Sequence, residues 1–246
     1  MKKNKQHTLI YCLAGKGTRF LDKGITTPKY LLKLDNGNTI LETSLKSLYT
    51  EKTNNLILIL NNYHLAYEKD IIQILKRVTM KYKIKFIDDN NGQAETAHEA
   101  IELINDNNWI YFFNGDTVLL NRNLNLITSG LNNENKTFGF IDVFDNNSKK
   151  YSYVKINDKN CVTEIKEKIV ISNLATTGLY GFKDKRIYSL YFKELSFKKD
   201  ELYISNVYDK MLNDKKSIKI GKTNLPKDSV VLGTPYEYNL NKKLFE

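Results

Sequence analysis

The sequence predicts an α/β fold: a Rossmann-like, mixed but mainly parallel sheet flanked by helices, with a smaller strand-rich lobe after it. Three features of the 246-residue chain carry this expectation. Apolar runs bounded by polar turns recur in the first half, and their nearly continuous apolar character suits parallel strands covered on both faces. Each run but the last is followed by a segment with helical spacing, as in an α/β layout. Beyond Asp116 the rhythm changes to closely spaced strands, with two helices near the end.

In order, strands are expected at residues 8–14, 56–60, 84–87 and 109–113, and helices at 39–52, 67–79 and 94–104, with Asn38 or Thr39 available to cap the first helix. The second half offers strands at 138–144, 151–156, 162–165 and 176–182, and helices at 185–195 and 205–212. No Pro-, Gly- or Ser-rich linker divides the halves and no repeat period is visible, so residues 1–246 read as one domain with two lobes, about 1–120 and 121–246. A ligand belongs where the strand ends meet.

With 41% hydrophobic and 11% aromatic residues, the chain can bury a full core. No apolar run approaches the roughly 18 to 20 residues of a membrane-spanning helix, and the lysine-rich start, Met1 to Lys5, lacks the apolar stretch of a signal peptide. A cytoplasmic protein with no membrane partner is expected. The net charge is +10, but the basic residues are dispersed, lysine and asparagine abound throughout, and no RNP-like, zinc-finger or basic-zipper pattern occurs. The charge therefore reads as general composition, no nucleic-acid partner is expected, and a homodimer stays open. Cys12 and Cys161 form no C-x-x-C pair and are expected to be buried reduced thiols. His7, His64 and His98 lack metal or triad spacing, and Trp109 reads as core.

The chemistry gathers at the end of the first strand. There Leu13-Ala14-Gly15-Lys16-Gly17-Thr18-Arg19 sets two glycines where the backbone can approach a ligand and turn its N–H groups to phosphate oxygens. Phe20 stands where a dinucleotide fingerprint has its third glycine, and no Gly-Lys-Ser/Thr follows at Walker spacing. Arg19 and, after Thr27-Pro28, Lys29 give two cations in one short stretch, the proline restricting the backbone before the second. Asn114-Gly115-Asp116 places a carboxylate at the end of the fourth apolar run, where such a sheet has its binding crevice.

These motifs, in this order, resemble the nucleotidyltransferases that make nucleotide-activated sugars and related compounds. Their signature is a strand ending in L-A-G-x-G-T-R, a variable loop, then P-K-x-L, here Pro28-Lys29-Tyr30-Leu31. The resemblance implies an enzyme that transfers a nucleotidyl group from a nucleoside triphosphate to a phosphorylated small-molecule acceptor, releasing pyrophosphate. It implies Arg19 and Lys29 as catalytic cations, Leu13, Ala14, Gly15, Lys16, Gly17 and Thr18 as the nucleotide-binding loop, and Asp116 as ligand of a catalytic magnesium ion (Mg2+). Residues 1–120 would then hold the nucleotide and 121–246 the acceptor. Glu167-Lys168 and the following Ala175-Thr176-Thr177-Gly178-Leu179-Tyr180 are similar to the family's E-K pair and A-x-x-G-x-Y strand. By that resemblance Lys168 meets the acceptor phosphate, Glu167 a hydroxyl or other polar group, and Gly178 leaves room for the acceptor.

Gly92, opening Gly92-Gln93-Ala94-Glu95, resembles the glycine that starts the family's helix beside the base. Two departures stand out. Many relatives that read uracil or thymine carry a glutamine five residues before that glycine, where this chain has Ile87 followed by Asp88 and Asp89. A carboxylate accepts from the exocyclic amino group of cytosine, so Asp88 or Asp89 points to CTP, with Asp88 taken as the nucleotide contact. Val231-Leu232-Gly233-Thr234-Pro235 resembles the family's D-x-G-T-P with Val231 in place of a second metal-binding Asp, leaving Asp228, Glu201 and Asp209 as candidate second ligands. The 20–29 loop and the L-G-T-P ending are similar to a branch of bacterial capsule and surface-polysaccharide enzymes, some of which activate phosphocholine or other non-sugar phosphates. Phosphorylated glutamine is a further acceptor of that type. The alternatives are a UTP- or dTTP-dependent sugar-1-phosphate enzyme and a glycosyltransferase of similar fold, although Asn114 replaces the first Asp of the latter's D-x-D.

Overall fold

All four apolar runs of the first half form strands. In the computed structural model, which describes residues 6–120, 122–129, 131, 136–195, 201–221 and 229–246, β1 (His7–Leu13) is followed by α1 (Thr18–Leu21), α2 (Ile40–Leu48), β2 (Thr53–Asn61) and α3 (Glu68–Lys76). Next come β3 (Tyr82–Ile87), α4 (Gln93–His98), β4 (Trp109–Phe113), β5 (Thr117–Leu119) and α5 (Leu124–Ile127). The remainder comprises β6 (Thr137–Asp145), β7 (Ser152–Ile156), β8 (Val162–Glu167), β9 (Leu174–Phe182), α6 (Lys185–Phe192), α7 (Ile204–Asn213), β10 (Ser217–Ile220), β11 (Ser229–Val231) and α8 (Pro235–Asn241).

Among the described residues, nine strands form one sheet in the order β10-β6-β9-β4-β1-β2-β3, with β7 beside β9 and β8 beside β7. In that row β9 alone runs antiparallel, inserted between β4 and β6. The other neighbours are parallel, giving the mixed, mainly parallel sheet that the sequence predicts. The sheet continues from β4 into β9 and β6, so strands of both halves share it. β5 and β11 form a separate antiparallel pair.

The central strands are buried on both faces, which is why they read as continuous apolar runs. Their side chains alternate between two cores. Leu9, Tyr11 and Leu13 of β1, Leu56, Leu58 and Leu60 of β2, and Tyr111 and Phe113 of β4 pack on one side with Leu45 of α2 and Leu75 of α3. Ile10, Ile57, Ile59, Ile110 and Phe112 pack on the other with Ala94 of α4, Tyr188 of α6 and Tyr208 of α7. Each fully buried leucine contributes about 2 kcal/mol, and the two cores together hold the strand ends as a fixed rim.

Caps set several boundaries. Thr39 accepts from Glu42 N at 3.1 Å and starts α2, while Asp184 accepts from Arg186 N and Ile187 N at 2.9 and 3.1 Å and starts α6. The helix expected at 94–104 is shorter, because α4 stops at His98 and a 3-10 turn covers Ile101–Leu103. Lys83 Nζ and Lys85 Nζ, from β3, donate to the carbonyls of Leu103 and Glu99 at 2.6 and 3.3 Å and satisfy that end. The helices expected at 39–52, 67–79 and 185–195 also end early, at Leu48, Lys76 and Phe192. β8 and β9 outrun the expected 162–165 and 176–182, since Ser152 pairs with Glu167 and Asp145 with Leu174.

The expectation for the cysteines holds in part. Both are free but only half-buried, and burial pushes the Cys12 thiol well above its ordinary range. Trp109 is half-buried at the start of β4, stacked on Tyr111 with ring centroids 5.9 Å apart. The histidines take structural positions: His7 Nε2 is 2.9 Å from Thr53 Oγ1, His64 Nδ1 is 3.0 Å from Tyr30 OH, and His98 stacks on Phe192. No helix among the described residues is long and apolar enough to cross a membrane.

Candidate active site

A cavity of about 570 Å³ opens where β1, β4 and β9 meet the loops that follow β1 and β3. It gathers Leu13, Ala14, Gly15, Lys16, Gly17, Thr18, Arg19, Lys29, Gly92, Asp116, Glu167, Lys168 and Gly178, residues separated by up to 165 positions in the chain. Five cations and five carboxylates line it, so the net charge of the chain is not concentrated there.

The loop after β1 forms one wall. Gly17 adopts the left-handed conformation (φ 68°, ψ 29°), which lets the chain turn from Lys16 into α1, and its carbonyl accepts from Phe20 N at 2.8 Å. Nothing lies within 4 Å of the place a Cβ would take on Gly15, so that backbone stands bare toward the cavity. Lys16 Nζ lies 2.7 Å from Asp89 Oδ2. The hydrogen bond from Lys16 holds Asp89 below the usual carboxylate range, and Asn61 and Tyr63 donate to the same carboxylate at 3.0 and 3.3 Å. Both members of this ion pair are well exposed, so the pair adds little to stability.

Lys29 and Asp116 meet in the middle of the cavity, with Nζ 2.6 Å from Oδ2. Pro28 enters a short 3-10 turn, Lys29–Leu31, whose Tyr30 and Leu31 are buried in the core and so anchor the lysine. Asp116 is fixed from the other side: its carbonyl accepts from Leu232 N at 2.8 Å, and Gly233 passes so close that a Cβ there would lie 2.9 Å from Oδ2. Val231 sits opposite Thr117 in the β5–β11 pair and presents no ligand.

Among the described residues no three His, Cys, Asp or Glu side chains are grouped to hold a metal. Asp116 offers a single carboxylate facing an open cavity, a donor set that fits a magnesium ion completed by substrate oxygens and water rather than a protein cage. Of the other candidate ligands, Glu201 lines the cavity but is engaged by the Tyr203 hydroxyl. Asp209 lies away from it, 3.9 Å from Lys166, and Asp228 falls outside the described residues.

The opposite wall is built from β7, β8 and β9. Glu167 is held through Oε2, which accepts from Ser152 Oγ and, at 2.8 Å, from Ser205 Oγ. Lys168 has a positive φ of 56°, a costly conformation for a residue with a Cβ, secured by its N–H donating to Tyr151 O at 3.1 Å. Its ammonium lies 4.4 Å from the centroid of the Tyr203 ring and bonds the Tyr203 hydroxyl. Gly178 (φ 85°) packs against Asn114, whose Oδ1 accepts from Gln93 and thereby links the β4 end to α4.

Asp88 and Gly92, the expected base-side contacts, take different places. Asp88 does not line the cavity; it is exposed and accepts from Asn62 Nδ2 at 2.7 Å, whereas Asp89 is on the wall. Side chains alternate as the chain leaves β3, and the side that takes the buried Ile87 carries on to Asp89. Gly92 does border the cavity, but its missing side chain makes room for the Leu202 backbone, whose O and N would lie 2.6 and 2.8 Å from a Cβ. Leu202 N donates to Asn91 O at 2.7 Å and Ala94 N to Leu202 O at 2.9 Å, clipping the two walls together. Lys150, Tyr151, Tyr203 and Glu237 also line the cavity without a sequence signal of ligand binding, except that Thr234 and Glu237 have capping-box spacing, with Glu237 N donating to Thr234 Oγ1 at 3.2 Å.

A glycine-loop strand end, paired cation and carboxylate, and a second wall with Glu167 and Lys168 define a cavity suited to joining two phosphorylated ligands. The chain matches the nucleotidyl transferase family over residues 12–223 and belongs to it, so it is a nucleotidyltransferase. Its fold is similar to that of the nucleoside-diphosphate-sugar pyrophosphorylase from Vibrio cholerae RC9, with a TM-score of 0.82 and 24% identity over 96% of this chain and 100% of that one. It is also similar to the inositol-1-phosphate CTP transferase from T. maritima, with a TM-score of 0.77 and 16% identity over 100% and 98% of the two chains. The UTP-bound UGPase from Acinetobacter baumannii gives a TM-score of 0.76 and 16% identity over 98% and 93%. No curated protein matches the chain in sequence.

Proposed function

We propose that this nucleotidyltransferase moves CMP from CTP to a phosphorylated small molecule of the sugar-phosphate, phosphocholine or phosphoglutamine type, in the cytoplasm, for a capsule or surface-polysaccharide precursor. The observation that carries the reading is the single cavity that joins the glycine loop, Arg19, Lys29 and Asp116 to Glu167, Lys168 and Gly178.

An oxygen of the acceptor phosphate attacks the α-phosphorus in line, a new P–O bond forms, the bond from the α-phosphorus to the oxygen bridging to the β-phosphorus breaks, and pyrophosphate leaves with the electron pair. Positioning and charge stabilisation supply the rate. Gly15 and Gly17 bring backbone N–H groups to the triphosphate, and Arg19, which has no ion pair among the described residues, balances the charge of the leaving pyrophosphate. Lys29 steadies the α-phosphate and the incoming oxygen. Lys168 holds the acceptor phosphate, and Glu167, oriented by Ser152 and Ser205, accepts from a hydroxyl or other donor on the acceptor. A magnesium ion held by Asp116 would neutralise phosphate oxygens.

Asp89 supports cytosine, because it is a wall carboxylate able to accept from the exocyclic amino group. The Lys16–Asp89 ion pair favours the second reading, a UTP- or dTTP-dependent enzyme, if it persists when nucleotide binds. Initial rates with each of CTP, UTP, ATP, GTP and dTTP against a panel of phosphorylated acceptors separate the two: the CTP reading expects kcat/KM to be highest for CTP, and a higher value for UTP or dTTP overturns it.

A further inference from the structure

Behind the cavity lining lie two opposite charges that do not themselves face the cavity. Asp142 of β6 is fully buried and Arg122 nearly so, with Arg122 Nη1 2.9 Å from Asp142 Oδ1. The carboxylate's other oxygen accepts from Thr177 Oγ1 at 2.7 Å, and Arg122 Nη2 donates to Ser229 Oγ at 2.8 Å.

The Thr177 contact falls at an irregular place in the fold. Ile141 pairs with Tyr180 and Val143 with Thr176, so the single residue Asp142 faces three, Thr177, Gly178 and Leu179. β9 therefore bulges at the cavity, and a bulge of this kind re-aims the strand beside a site. The Thr177 bond to Asp142 staples it. Ser229 starts β11, which pairs with β5 and leads to Leu232, whose N–H holds the Asp116 carbonyl.

We propose that the buried Asp142–Arg122 pair is a positioning device that fixes the Thr177-Gly178 bulge on one side of the reaction centre and the Leu232-Gly233 segment against Asp116 on the other. The inference rests on the reading that the Gly178 wall receives the acceptor. Burying two charges is costly, and apolar residues of like volume usually serve stability as well or better. An apolar pair would fill this space yet hold neither the bulge nor β11, so geometry is what the pair supplies.

Ser229→Ala cuts only the β11 arm and leaves the ion pair in place, whereas Asp142→Asn weakens the β9 arm. Each is assayed with whichever nucleotide and acceptor the wild type turns over best, so a base other than cytosine would overturn the CTP reading without touching this test. Asp142→Asn is expected to raise the acceptor KM about tenfold or more with nucleotide KM within about twofold of wild type. Ser229→Ala is expected to lower kcat about tenfold with both KM values nearly unchanged, and Ser229→Thr, which restores a hydroxyl, to recover most of that loss. If both variants are only less thermostable, with kcat and both KM values at wild-type levels, the pair is structural and the proposal is overturned. A well-folded Ser229→Ala enzyme with wild-type kcat overturns the β11 arm even where Asp142→Asn fails to fold.

Discussion

Lys29 Nζ and Asp116 Oδ2 lie 2.6 Å apart, so the cation proposed for the α-phosphate and the carboxylate proposed for magnesium neutralise each other within the cavity. Substrate phosphates and a metal ion would divide that pair between them. Replacing Lys29 by Ala is expected to lower kcat by about 100- to 1000-fold, the scale of removing one preorganised charge from a developing transition state. The same change removes a cation beside Asp116, so Mg2+ should bind the folded variant more tightly than the wild type, as measured by calorimetric titration. A variant that binds Mg2+ more weakly would show that Lys29 acts elsewhere.

Gly178 has a φ of 85°, and a Cβ there would lie 2.6 Å from Asn114 Nδ2. Gly178→Ala forces a left-handed conformation costing about 1–2 kcal/mol and displaces the Asn114 amide from Gln93. Thermal denaturation should show a melting temperature lower by several degrees, and the acceptor KM should rise. Unchanged acceptor kinetics in this variant would remove Gly178 from the acceptor wall.

Asp89 holds Lys16 at 2.7 Å while facing the cavity. Asp89→Asn keeps the size of the side chain and loses its full acceptor character, so the ratio of kcat/KM for CTP to that for UTP should fall about tenfold, the size of one base-discriminating contact. A ratio that does not move places base reading on other residues.

Burial of His7 lowers its pKa from 6.5 to about 4. Between those values the unfolded chain holds a proton that the folded chain refuses, so this contribution to stability is complete above about pH 6.5 and is lost as pH falls toward 4. A shift of this size corresponds to about 3 kcal/mol. Urea unfolding at intervals from pH 7 to pH 4 should show a shallower decline for His7→Gln than for the wild type, and parallel declines would contradict the assignment. His64 and His98 are lowered by burial too, and act in the same direction.

The parts of the fold that were legible in the sequence are those governed by local pattern. β1, β2 and β4 are buried on both faces and so leave unbroken apolar runs. The glycine loop and Asp116 are legible because each follows an apolar strand, and Pro28-Lys29 because its order after the glycine loop resembles the family's signature. The rest depends on contacts between distant segments. The carbonyls beyond the early stop of α4 are satisfied by Lys83 and Lys85 from β3. The role of Gly92 becomes visible only when the Leu202 backbone is laid against it. The choice between Asp88 and Asp89 turns on which side of the departing chain faces the cavity. Tyr203 had no sequence signal at all, since its place over Lys168 depends on how α7 packs beside β8.

The most direct test is pyrophosphate release, measured with and without a phosphorylated acceptor, for the wild type and for a Lys29→Ala variant whose melting curve shows it to be folded. The predicted result is acceptor-dependent pyrophosphate from the wild type and at least about a hundredfold less from the variant. Near-normal pyrophosphate release from folded Lys29→Ala would contradict the role given to the Lys29–Asp116 pair.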